Sequence, residues 1–237
     1  MFKSAKGLSA VELLIATAIA SVVLAGICNA FLSASKRLIL QSRSAEIQAD
    51  ARAAMDFMVR ELRLAFGNPT ISTTVTTNDT ISFDRVEDSG CSSGVNTATT
   101  LEDTRKTWQV GSNGFGTSYT VRIIAGTGTG QVPSIGSNTS SKLTISGTWG
   151  TIPDANSCYV ITRRKTFTRT SASDNVLRYT VGSSVNQPLA ELITTHAFSQ
   201  TGRTISITLT AQTNNIDPNT GAKRTYTLTE TVLQRNN

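Results

Sequence analysis

A single histidine, His196, and three widely separated cysteines, Cys28, Cys91 and Cys158, are all that the 237 residues supply for soft-metal chemistry. Zinc centres need these residue types at short, fixed spacings, so a zinc site is excluded for want of ligands. His196 follows two threonines in a strand-like run, which favours a core or sheet-surface residue over a general base. The glycines at Gly126, Gly128 and Gly130 lack the lysine and helix that complete a phosphate loop, and they read as a turn. Two acidic stretches, Asp84 with Glu87 and Asp88, and Asp217 to Gly221, offer oxygens but read as solvated turns rather than calcium sites. No enzyme, no cofactor and no metal is expected.

Charge is scarce in a telling place. From Leu8 to Leu32 the only charged side chain is Glu12, and the run meets the roughly 20 apolar residues that a bilayer core requires. Proline and glycine are missing between Ala30 and Phe66, where Ala, Leu, Met, Glu and Arg dominate, so helix is expected to continue beyond the membrane. The stop falls at Gly67-Asn68-Pro69, giving an element about 88 Å long at 1.5 Å per residue. Ile47, Ala51, Ala54, Met58, Leu62 and Ala65 recur at steps of three and four and form one apolar stripe. Arg52 with Asp56, and Asp56 with Arg60, are spaced as i,i+4 pairs on the other side. Lys and Arg total 22 against 16 Asp and Glu, but they are scattered, which argues against nucleic acid as a partner.

Three ordinary readings apply to the apolar run. A cleaved secretory signal suits Lys3 and Lys6 but not the length of the run or Glu12. A lipoprotein suits Cys28 but not Ile27 before it. A plain membrane anchor leaves Glu12 without a reason, although a charge at the bilayer centre costs about 2.5–3.5 kcal/mol.

After Pro69 the composition turns to Thr, Ser, Asn and Gly, with short alternating runs. Strands are predicted at 71–76, 80–84, 107–110, 119–124, 142–146, 158–168, 176–181, 189–198, 204–210 and 224–233. The last two form an antiparallel hairpin with a long loop. Trp108, Trp149, Phe83 and Phe198 are assigned to the core. Cys28 lies inside the apolar run, so Cys91 and Cys158 are predicted to pair as a disulfide, which requires an oxidising compartment. The outer stripe of the helix needs an apolar partner, and a sheet face supplies it. The fold class is α+β, a long N-terminal helix packed on a C-terminal antiparallel β-sheet domain.

The stretch Gly7-Leu8-Ser9-Ala10-Val11-Glu12-Leu13 resembles the processing signal of type IV prepilins and type II secretion pseudopilins. The ending Thr231-Val232-Leu233-Gln234-Arg235-Asn236 is similar to minor pilins of the W and J kinds. The resemblance implies a pilin-like fold and a leader over 1–7. It implies cleavage after Gly7, N-methylation of Leu8, a transmembrane assembly helix over 8–32, its amphipathic continuation over 33–66, and a β-rich domain over 67–237. It also implies that Glu12 neutralises the terminal amine of a neighbouring subunit. The implied partners are other pilins or pseudopilins, the prepilin peptidase and the inner-membrane assembly platform. The implied location is the bacterial inner membrane, with a cytoplasmic N-terminus, and then a periplasmic or extracellular filament. The competing reading is a membrane-anchored module that captures DNA, a surface or a secreted substrate.

Overall fold

The computed structural model describes residues 9–75, 78–169, 174–182, 184, 186–217 and 220–235. One helix, α1 (Ala10–Arg63), opens the chain and is about 81 Å long at 1.5 Å per residue. Twelve strands follow among the described residues: β1 (Ala65–Val75), β2 (Asn78–Cys91), β3 (Thr100–Glu102), β4 (Tyr119–Ala125), β5 (Ile135–Asn138), β6 (Lys142–Ile145), β7 (Cys158–Thr168), β8 (Leu177–Val181), β9 (Gln187–Ala190), β10 (Ile193–Thr201), β11 (Thr204–Ile216) and β12 (Lys223–Leu233). The architecture is α+β, with the helix packed on antiparallel sheet.

Nine strands form one sheet in the order β12-β11-β10-β2-β7-β8-β9, with β1 added beside β2 and β4 beside β7. Every pairing in it is antiparallel except the junction of β10 with β2, a single parallel position at His196 and Asn78. A second sheet, β3-β6-β5, covers the β4 and β7 region.

Two cores result. The first lies between α1 and the large sheet: Met58, Leu62, Ala54 and Ala51 meet Ile81, Phe83, Phe167, Ile205, Ile207 and Leu209. All six residues of the sequence stripe are buried, and each large apolar side chain so removed from water contributes about 1.5–3 kcal/mol. The second core lies between the sheets, where Trp108, Trp149 and Tyr159 pack with Leu101, Val121, Ile123, Ile135, Leu143 and Ile161. The four aromatic residues expected inside are all buried.

The helix ends three residues earlier than the glycine signal predicts. Ala65 and Phe66 are already paired with Arg85 and Asp84 of β2, so ladder hydrogen bonds capture the chain before Gly67 is reached. Gly67, at φ +69°, instead serves a bulge between Phe66 and Thr70, where Pro69 has no ladder bond to donate. The predicted strand at 107–110 is irregular; Trp108 leaves the sheets and donates its backbone N–H to Ser140 O. The predicted strand at 189–198 is two strands, broken at Leu192, whose φ of +61° turns the chain. No glycine marks that turn, and it is held by Leu192 O accepting from Gln212 N. The terminal hairpin is longer than predicted, its strands reaching Ile216 and Lys223 and shortening the loop. The i,i+4 partner assigned to Arg52 is replaced too: its Nε donates to Tyr226 Oη at 3.1 Å.

Cys91 and Cys158 form the predicted disulfide. They are directly paired positions at the end of the β2/β7 ladder, so the bridge staples two neighbouring strands across 67 residues of chain. The chain-entropy estimate for a loop of that size is about 4 kcal/mol.

Candidate functional site

Among the described residues the first half of α1 is exposed along nearly all its length. Val11, Leu14, Ile19, Val22, Leu24, Ile27 and Phe31 are each more than half exposed, and burial begins only at Leu40. Among the described residues this is the one helix long and apolar enough to cross a membrane. The hydroxyls of Thr17 and Ser21 are satisfied within the helix, Thr17 Oγ1 donating to Leu14 O at 2.9 Å and Ser21 Oγ to Ala18 O at 2.7 Å. Such back-bonding lets them lie in hydrocarbon without an outside partner. A side chain added at Gly26 would meet nothing within the chain.

Glu12 sits in the first turn of this helix. Ser9 is the N-cap: its Oγ accepts from Val11 N at 3.3 Å, while Glu12 Oε2 accepts from Ser9 N at 2.9 Å. The four residues Ser9-Ala10-Val11-Glu12 are thus a capping box, a signal readable in the sequence and missed there. The carboxylate therefore has a local partner and lies at the positive end of the helix dipole. The cost quoted for a charge at the bilayer centre does not apply to an end residue whose acceptor is used. Gly7 and Leu8, the expected cleavage and methylation positions, lie outside the described residues.

At the other end of the helix a second carboxylate is buried. Glu61 is 5% exposed; Arg85 Nη1 reaches both its oxygens, at 3.0 and 3.2 Å, and Tyr179 Oη donates at 3.0 Å. Burial and the Glu61 charge both push the Tyr179 phenol above its ordinary range. Glu61 is three residues past Met58 on the apolar stripe, so its inward position was legible, although its partners were not.

The acidic stretch at Asp84, Glu87 and Asp88 is strand rather than turn, and each acid meets a cation: Arg164 at 3.0 Å, Lys165 at 3.3 Å and Lys106 at 2.7 Å. Burial would raise the Asp88 carboxyl, but Lys106, the Trp108 indole N–H and Ser89 N–H outweigh it and hold it below the usual range. Asp103 is opposed in the same way: burial is outweighed by Arg105, Tyr159 and Ser93. Asp217 is buried and paired with Arg224 at 2.7 Å, so the second acidic stretch is not a solvated turn at that residue; Pro218 and Asn219 lie outside the described residues. His196 is buried in β10 with its ring 5.5 Å from Phe198. No three His, Cys, Asp or Glu side chains among the described residues assemble as a metal cage. The Gly126 to Gly130 stretch is a turn, three of its glycines having positive φ.

Comparisons with family models, with curated proteins and with solved structures found no match.

Proposed function

We propose that the chain is a structural subunit of a type IV pilus or a secretion pseudopilus, of the minor-pilin kind. In this reading it is cleaved by prepilin peptidase after Gly7, methylated on Leu8 and assembled through the exposed half of α1. The observation that carries the reading is the union of two features in one helix. Its first thirty residues expose apolar side chains with Glu12 as the sole acid, and its remainder is locked onto a disulfide-stapled β domain. A helix so divided offers one half to lipid and to neighbouring helices and holds the other fixed on its own domain.

Close packing in lipid is served by Gly26, Ala30 and Ala34, four residues apart. Glu12 would accept a neighbouring subunit's terminal amine with oxygen capacity left over from the Ser9 bond, since a carboxylate takes several donors. Such a pair selects register more than it adds net stability, because desolvation opposes the attraction. The bridge between Cys91 and Cys158 suits a domain that folds outside the cytoplasm. The partners in this reading are other pilins or pseudopilins, the peptidase and the membrane assembly platform.

The test is mass spectrometry of the N-terminal peptide from membranes. Methylated Leu8 is the expected terminus. A chain beginning at Met1 and held in the membrane leaves an anchored binding module instead, and a chain beginning at Phe31 contradicts both readings.

A further inference from the structure

A cavity of about 620 Å³ opens between the loop 111–119, strand β5 and Arg163 of β7. Among the described residues Arg163 is the one charged side chain in its wall, and no Asp or Glu lines it. The residues paired with Arg163 across the strands are Arg85, a second cation, and Tyr119. Arg85 is taken by Glu61, as Arg164 is by Asp84 and Arg178 by Asp174. Among the described residues Arg163 has no carboxylate partner, and its Nε is buried without a hydrogen bond. Its guanidinium rests 4.8 Å from the Tyr119 ring centroid. That nitrogen faces Gly182 rather than the cavity, so it is the rest of the Arg163 side chain that lines the open space.

The rest of the wall is neutral and rich in hydrogen-bonding groups, with Ser112, Ser118, Ser137 and the exposed face of the Phe115 loop. The loop is pre-shaped. Asn138 Oδ1 accepts from Phe115 N at 2.8 Å, and its amide donates to Gln109 O at 2.7 Å. Gly114 sits so close beneath that an added Cβ would come within 2.3 Å of Asn138 Oδ1. A preformed wall of this kind loses little entropy on binding.

One guanidinium among several hydroxyl groups matches a sugar chain whose residues each carry one negative group and several hydroxyls. It does not match a phosphate backbone, which needs several cations along a track. The half-buried Phe115 and Tyr119 rings, 5.1 Å apart edge to face, pack against the second core and hold the shape of the wall. We propose that this cavity binds an acidic sugar residue, its carboxylate on Arg163 and its hydroxyls on the serine and threonine wall. The proposal is independent of the assembly reading.

The test is calorimetric titration of the full chain in detergent micelles with digalacturonate, using cellobiose as the uncharged counterpart. Saturable binding of digalacturonate is expected, with cellobiose weaker by about ten-fold or more, as loss of a charge-assisted contact implies. Arg163→Gln is expected to lower affinity by a similar factor, about ten-fold. Arg164→Gln, which removes the adjacent cation on the opposite face of β7, should leave it unchanged. Gly116→Glu keeps Arg163 and adds an acid where a side chain meets nothing, so it should abolish binding even if Arg163→Gln fails to fold. Equal affinity for both sugars, equal binding by folded Arg163→Gln, or no binding of millimolar digalacturonate by the native chain overturns the proposal. Tighter binding of polyglutamate would assign the cavity to acidic peptides and overturn it as well.

Discussion

Arg85 Nη1 lies 3.0 Å from Glu61 Oε1 and 3.2 Å from Oε2, joining the last turns of the helix to the second strand of the sheet. Hydrophobic contact alone leaves a long helix free to slide by a turn along a sheet face. A buried carboxylate that must meet one particular guanidinium and the Tyr179 hydroxyl removes that freedom.

Glu61→Ala leaves Arg85 without its carboxylate and is expected to destabilise the domain by about 2–3 kcal/mol. That is below the usual range for a buried pair because Arg85 keeps some solvent access. The double variant Glu61→Leu with Arg85→Met should recover most of the loss. Urea midpoints of the three variants check this.

Glu12→Gln retains an acceptor for Ser9 N–H and so preserves the capping box, whereas Glu12→Ala removes it. If Glu12 acts only as a cap, the Gln variant should assemble normally. The assembly reading expects both variants to fail, measured as recovery of subunits in sheared filaments or cross-linked membrane oligomers.

Replacing both Cys91 and Cys158 by Ala is expected to lower stability by up to about 4 kcal/mol, the loop-closure contribution. In the native chain neither Cys91 nor Cys158 should react with iodoacetamide before reduction, while Cys28, which is free, should react once the chain is denatured.

Asp88 and Asp103 have carboxyls held below their ordinary values in the folded state. Their contribution is therefore present above the unfolded value, near pH 4, and is lost as pH falls through the folded one. Through these two groups urea midpoints should drop below about pH 4. Asp103→Asn should start lower and show a shallower acid limb.

Met58→Ala empties a fully buried position and is expected to cost about 2–5 kcal/mol, with partial collapse setting the value. Leu24→Ala, on the exposed half of the same helix, should leave urea unfolding of the domain unchanged. The contrast separates the folding face from the free one.

The helix, its stripe, the disulfide and most strands were legible because each rests on local pattern: apolar spacing of three and four, alternation by two, or cysteine supply. Glu61 was half legible, since its spacing from Met58 placed it inward but nothing local named Arg85. The split at Leu192 and the early end of the helix were not legible. Both are set by pairing partners distant in the chain, Gln212 in one case and Arg85 with Asp84 in the other.

By itself, then, the order of residues determined a long helix with one bare apolar half and a β domain to hold the other, because side-chain periodicity and solvent preference act over a few residues. Only the tertiary structure decided which charges are matched, that Glu61 meets Arg85 while Arg163 is left facing a cavity. Those outcomes depend on which strands become neighbours, and a partner's identity there is a matter of long-range register.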